Sequence, residues 1–252
     1  MTSLPTEDLL GFNVVTKDAG QCVAQVMAWL NAGERNKYFA CANPHALEVA
    51  ANDQAVTAAL RDADLLTPDG VGVLIASRLK RGKIRDRVTG SSMFYGVMRA
   101  LNDRGGGSVF FLGSSDEHLV EIQQKCAEDY PNIRVAGVYS PPFKPEFSEA
   151  DNQAMIDAVN AAKPDVLWVG MTAPKQELWI SQNRHRMDVG FFGAVGAVFD
   201  FYTGRVKRSH PFFRRMGLEW LPRLFQQPGR LWRRTIVSAP KFLWRVMNHS
   251  PS

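Results

Sequence analysis

Cysteine is scarce in this chain: Cys22, Cys41 and Cys126 are the only three among 252 residues. An odd set without zinc-type spacing supports neither a disulfide framework nor a metal knuckle, and reads as buried thiols in a reducing compartment. Long apolar runs are missing too. No stretch approaches the roughly 18 uncharged apolar residues of a spanning helix. The N-terminal sequence MTSLPTEDLLGF lacks the basic-then-apolar order of a secretion signal. A cytoplasmic protein that lies on a membrane without crossing it is therefore expected. No internal repeat or low-complexity tract occurs, and neither GxGxxG nor a Walker sequence is present. Acidic residues almost vanish at the C-terminal end. From Phe201 to Ser252 there is one, Glu219, against eleven Lys or Arg.

Those cations are interleaved with Phe212, Phe213, Trp220, Leu224, Phe225, Trp232, Phe242 and Trp244. Anionic headgroups beside hydrocarbon suit such a segment, so a membrane surface is the expected partner. A nucleic-acid partner is not expected: the Leu, Trp and Phe content favours a bilayer, and no nucleic-acid module is recognisable upstream. An apolar fraction of 45% is ordinary and implies a real core. The composition breaks near Gly204. Two parts are expected: a core over residues 1–204 and a basic, amphipathic, helical, membrane-associating appendage over residues 205–252.

Within the core, short β-rich runs alternate with helical stretches. Strands are expected at 39–42, 65–66, 108–112, 133–138, 165–169 and 189–192. Helices are expected at 44–61, from 70 through 79, after 91, and at 116–129, 150–162 and from 175. This alternation predicts an α/β fold with a mostly parallel sheet flanked by helices. Ligands in such folds bind at the carboxyl ends of the strands.

The polar residues at those strand ends are the candidate site. Asp69, in Thr67-Pro68-Asp69-Gly70, could take a proton from a substrate hydroxyl, or could be a turn or capping carboxylate. Asn43 could bond a sugar or base, or cap the helix that follows it. Arg87 and Thr89, before a glycine turn and a helix, could hold phosphate, or form a solvated basic loop. Gly113 ends a buried strand and could line a nucleotide pocket. Thr172, Lys175, Gln176 and Glu177 fill a strand-to-helix turn that could read a uracil or ribose, or simply cap a helix. Gly196 lies in a run of small residues that admits either a ligand or tight packing.

Taken together these stretches resemble the WecG/TagA/CpsF family, glycosyltransferase family 26. The resemblance runs from about Asn43 to Arg234. It is carried by Thr67-Pro68-Asp69-Gly70, Arg87-Val88-Thr89-Gly90, Ala173-Pro174-Lys175-Gln176-Glu177, residues 193–200, and Gly217-Leu218-Glu219-Trp220 through Arg223-Leu224 to Pro228. It implies a Rossmann-like core and an inverting transfer of a sugar from a UDP-sugar donor. The implied acceptor is a polyprenyl-diphosphate-linked glycan at the cytoplasmic membrane face, in cell-surface polysaccharide synthesis. Carried over by position, Asp69 is the general base and Arg87 assists at the diphosphate or the acceptor. Asn43 and Gln176 line the pocket, and Arg223, Arg230 and Arg233 close over the nucleotide diphosphate. One departure, Met171-Thr172-Ala173 before Pro174, leaves the pocket near Thr172 open. The resemblance names neither donor sugar nor linkage, and it leaves a homo-oligomer open.

Glycosyl transfer builds positive charge on the sugar ring and negative charge on the leaving diphosphate. Many such enzymes neutralise the latter with a metal on Asp-x-Asp. Asp62 and Asp64 have that spacing but read as helix-end residues. No metal and no cofactor are expected, with the tail arginines meeting the diphosphate instead. The rival reading is a non-catalytic sensor of nucleotide or lipid phosphate at the membrane.

Overall fold

The computed structural model describes residues 4–206 and 238–248. The chain opens with an antiparallel hairpin, β1 (Thr6–Leu9) and β2 (Phe12–Val15). Both residues of its turn, Leu10 and Gly11, have positive φ, as a two-residue hairpin turn with the twist of its strands demands. The sequence reading missed this hairpin: its turn is Leu-Gly, not Asn-Gly or Asp-Gly.

Six further strands form one sheet: β3 (Lys37–Ala42), β4 (Leu65–Pro68), β5 (Gly107–Gly113), β6 (Ile133–Tyr139), β7 (Val166–Gly170) and β8 (Phe191–Ala194). Their order is β4-β3-β8-β7-β5-β6, and every neighbouring pair is parallel. This is the expected α/β architecture in a Rossmann-like arrangement. All six carboxyl ends therefore lie along one edge. Two corrections apply to the expected elements. The last strand is shifted two residues, to 191–194. The expected helix at 44–61 is two helices, α2 and α3 below, because the Asp53 carboxylate caps a new start by accepting from Ala55 and Val56 N–H.

The helices are α1 (Ala19–Asn31), α2 (Pro44–Ala50), α3 (Gln54–Arg61), α4 (Val71–Leu79), α5 (Gly90–Asp103), α6 (Asp116–Asp129), α7 (Glu149–Ala162), α8 (Lys175–Asn183), α9 (Val198–Thr203) and α10 (Ala239–Asn248). The two-residue period of the strands sorts them onto two faces. Leu167 and Val169 of β7 join α2, α3, α4, α7, α8 and α10 in one apolar cluster. Val166 and Trp168 join α1, α5, α6 and α9 in the other. Glycines let these layers close. A Cβ on Gly193 would sit 2.3 Å from the Trp168 ring, and one on Gly170 would sit 2.3 Å from Phe199.

Helix α10 buries Phe242 and Val246 completely where it packs on α2 and α4. Arg245 reaches the Glu48 carboxylate of α2 at 3.1 and 3.4 Å. This end of the chain is thus packed into the core's first apolar layer. Cys22 and Cys126 are buried, and burial pushes each thiol up to about 12. Cys41 departs from expectation in being only half-buried. Among the described residues no helix is long and apolar enough to cross a membrane.

Candidate active site

The β3 and β4 ends are locked side by side one step beyond the strands. Asp69 N–H donates to Ala42 O at 2.8 Å, which sets Asp69 next to Asn43. Asn43 caps α2, its Oδ1 accepting from Ala46 N–H at 2.9 Å. That cap occupies Oδ1 and does not use the amide nitrogen. The arginine-bearing segment is tied to the same place. Val88 N–H donates to Pro68 O at 2.8 Å, and the fully buried Thr67 hydroxyl donates to Val88 O at 2.9 Å. Thr67 therefore fastens residues 87–89 to the end of β4. Thr89 caps α5 in a reciprocal box with Ser92, so Arg87 is delivered one turn ahead of a helix N-terminus.

The next link is Gly90. A Cβ there would lie 3.4 Å from Val195 O, so the start of α5 is pressed onto the turn after β8. Gly196 in that turn has φ +58°. Its N–H donates to Gln176 Oε1 at 2.8 Å, and Gln176 Nε2 donates to Glu177 Oε1 at 2.8 Å. Gln176 and Glu177 are both buried in the first turn of α8. A continuous set of contacts thus joins Asn43, Thr67, Asp69, Arg87, Thr89, Gly196, Gln176 and Glu177 across the ends of β4, β3, β8 and β7. Burial raises the Cys41 thiol well above its ordinary range, and the carboxylates of Asp69 and Glu177 raise it further. Burial and then Glu177 raise the Tyr38 hydroxyl in the same way. Two carboxylates therefore flank the end of β3.

The remaining candidates occupy the β5–β7 side. Gly113 has φ +118°, and a Cβ there would lie 2.5 Å from Gly170 O. Its bareness serves close strand approach. Thr172 is exposed in the turn that holds a cis Ala173–Pro174 bond. Lys175 is engaged by the loop after β6: its ammonium bonds Lys144 O and lies 3.5 Å from the Phe147 ring centroid. Desolvation, then Lys144, lowers its pKa. Arg223, Arg230 and Arg233 lie outside the described residues.

Sequence reasoning missed His118. It is buried in the first turn of α6, with Nδ1 2.7 Å from Ser114 Oγ and Nε2 2.8 Å from Thr203 Oγ1. The Thr203 hydroxyl donates to Phe199 O at 3.2 Å, so it accepts from Nε2–H, and Nδ1 accepts from Ser114. This neutral imidazole joins the turn after β5 to the end of α9. Burial, then Arg205, lowers its pKa. A histidine four residues past Ser114 in LGSSDEH was the available signal.

Asp62 and Asp64 are held at the opposite edge of the sheet. Arg184 donates to Asp62 Oδ1 and Asp64 Oδ2, each at 2.8 Å, and to Asn36 O at 2.9 Å. Tyr38 N–H, at the start of β3, also donates to Asp64 at 2.9 Å. A cavity of about 450 Å³ lies beside the hairpin, lined by Leu10, Phe12, Leu47, Asn52, Arg61 and Arg245. It has none of the strand-end residues in its wall.

A model of the glycosyl transferase WecG/TagA/CpsF family matches residues 7–251. An N-acetylglucosaminyldiphosphoundecaprenol N-acetyl-beta-D-mannosaminyltransferase of Bacillus spizizenii is 32% identical over 218 residues, 86% of this chain and 81% of the relative. Enzymes of the same name from Bacillus subtilis and Staphylococcus aureus are similar. The first is 29% identical over 81% of this chain and 77% of its own length. The second is 25% identical over 95% and 91%.

Proposed function

The chain belongs to the WecG/TagA/CpsF family of glycosyltransferases, and from that premise we propose that it is an inverting enzyme acting at a membrane face. It moves a sugar from a UDP-linked donor to a saccharide carried on polyprenyl diphosphate. The relatives act, by their names, on N-acetylglucosamine linked to diphosphoundecaprenol, and an acceptor of that kind is the one to test first. The reading rests on one observation: Asn43, Asp69, Arg87, Gln176 and Glu177 are brought by hydrogen bonds and close contacts to one strand-end edge.

In this reading Asp69 takes the proton of the acceptor hydroxyl as that oxygen attacks the anomeric carbon. The diphosphate leaves from the opposite face, which inverts the centre. Base catalysis of this kind is worth roughly 10² to 10⁴ in rate. Arg87 beside the α5 N-terminus supplies positive charge to phosphate oxygens or to the acceptor. Arg223, Arg230 and Arg233 close over the leaving diphosphate, where guanidinium matches phosphate in bidentate geometry. Gln176 and Glu177 present amide and carboxylate groups to hydroxyls or the base. Gly113, Thr172 and Lys175 border the donor side. Work on a lipid-linked acceptor requires peripheral residence on the cytoplasmic side of the membrane.

The test is a screen of purified protein against UDP-hexoses and UDP-N-acetylhexosamines with a synthetic prenyl-diphosphate N-acetylglucosamine acceptor. Product mass identifies the sugar, and proton coupling at the new bond reports inversion. Retention at the anomeric centre, or UDP-sugar binding without product from any pair, would overturn the proposal.

A further inference from the structure

The turn after β5 is held by a one-way chain of hydrogen bonds. Gly113 and Ser114 both have positive φ, +118° and +69°, and at a non-glycine residue that conformation persists only where the surroundings fix it. Ser140 Oγ donates to Ser114 O at 2.8 Å. The Ser114 hydroxyl lies 2.7 Å from His118 Nδ1. Across the ring, Nε2 lies 2.8 Å from Thr203 Oγ1, whose own hydrogen goes to Phe199 O at 3.2 Å. The directions follow. Thr203 accepts from Nε2–H, so Nδ1 of the neutral ring carries no hydrogen and accepts from Ser114. Asp200 Oδ1, 3.8 Å from Nδ1, is too distant to draw a hydrogen onto that nitrogen. The Ser114 hydrogen is therefore directed inward. Its oxygen belongs to a half-exposed residue and offers its lone pairs to what enters the edge.

The neighbours of Ser114 are acceptors too. Asp116 and Glu117 stand exposed in the first turn of α6, and two carboxylates there oppose a phosphate. The first turn of α5 holds no acid and has Arg87 just ahead of it, so phosphate is favoured at that end. Hydroxyl groups, which donate, suit the β5 end. Distance agrees. Strands are about 4.8 Å apart and β5 is three spacings from β3, which puts Ser114 roughly 14 Å along the edge from Asn43 and Asp69. The reacting carbon is out of reach from there, and the nucleoside end of an extended donor is not. We propose that Ser114, kept as an acceptor by His118, receives a ribose hydroxyl of the donor nucleoside, with His118 as the positioning residue for that contact. The inference rests on the UDP-linked donor proposed above and deepens it by giving the donor a direction: nucleoside over β5, diphosphate toward α5.

Calorimetric titration of the full chain with UDP, 2′-deoxy-UDP and 3′-deoxy-UDP tests it. Ser114→Ala should weaken UDP about three- to tenfold, the loss of one neutral hydrogen bond. It should leave unchanged the affinity for whichever deoxy analogue lacks the contacting hydroxyl. His118→Leu should give the same pattern, and adding it to Ser114→Ala should cost nothing more. His118→Gln, whose amide can accept from Ser114 and donate to Thr203, should bind UDP within about twofold of wild type. In steady-state transfer, Ser114→Ala should raise the donor KM by the same factor and keep kcat within about twofold. Should His118→Leu not fold, Ser114→Ala and His118→Gln carry the test. Wild-type UDP affinity in Ser114→Ala, an equal loss for UDP and both analogues, or a His118→Gln as weak as Ser114→Ala would each overturn the proposal. A folded wild type with no affinity for UDP would instead overturn the proposed function.

Discussion

Removing the guanidinium of Arg184 separates two meanings of Asp62-Ala-Asp64. That spacing suits a donor-metal motif, but here Arg184 bridges both carboxylates and the Asn36 carbonyl. The arginine side chain is 10% exposed, against 30% for Asp62 and 27% for Asp64. Charge-assisted hydrogen bonds contribute about 1.5–3 kcal/mol each where buried. With partly solvated carboxylates the lower figure applies, so Arg184→Ala should cost about 3 kcal/mol. For a chain of this size that is roughly 6–12 °C in Tm. Asp64→Asn should cost less, about 1–2 kcal/mol, because the amide oxygen still accepts from Tyr38 N–H. Neither change touches the strand-end edge, so kcat per folded molecule should stay within about twofold of wild type. Thermal unfolding and steady-state transfer, measured on the same preparations, give both numbers. A hundredfold loss of kcat in Asp64→Asn with an unchanged Tm would refute the structural assignment and return the pair to the chemistry.

Three further outcomes follow from the contacts. His118 is held neutral, with its pKa below the ordinary 6.5; the unfolded chain takes up its proton near that value, and the folded chain only at lower pH. Its contribution is therefore complete above about pH 6.5 and is lost as pH falls toward the folded pKa. Urea unfolding across that window should show the slope in wild type and a flatter line in His118→Gln; equal slopes would remove His118 from this role. Gly113→Ala places a methyl 2.5 Å from a backbone oxygen at φ +118° and should destabilise by about 2–3 kcal/mol or more. Gly33→Ala, with φ +71° and open space around it, should cost about 1 kcal/mol, and similar losses at both sites in urea titrations would count against the close-approach argument. Gln176→Ala orphans the Gly196 N–H and shifts the β8 turn, so kcat/KM should fall by up to about 100-fold with a Tm loss of only a few degrees. Wild-type kcat/KM in that variant would show that the turn does not shape the site.

Much of the core architecture was legible because buried parallel strands carry unbroken apolar runs such as residues 109–112 and 166–169. The strand-end residues were legible for the same reason: each polar turn follows such a run. The sheet order was not, since nothing local says that β8 inserts between β3 and β7. The hairpin escaped because Leu10-Gly11 gives a weak turn signal, and α2 and α3 were fused because only the three residues Ala51 to Asp53 separate them. Glycines posed a subtler difficulty. Gly170 and Gly193 accommodate Phe199 and Trp168 rings, while Gly196 shapes the candidate site, and composition cannot separate the two uses. Asn43 likewise reads as a cap in both sequence and structure, and only a bound substrate would add a second role. Helix α10 is amphipathic, as its sequence suggested: Phe242 and Val246 are fully buried while Trp244 and Met247 are exposed.

The most direct measurement is single-turnover transfer by Asp69→Asn with the preferred donor and acceptor, at saturating concentrations of both. The carboxamide keeps the shape and the backbone N–H bond to Ala42 but cannot take a proton. Expected is a fall in the transfer rate of roughly 10² to 10⁴ with donor binding and Tm close to wild type. Transfer at the wild-type rate would contradict the assignment of Asp69 as the base.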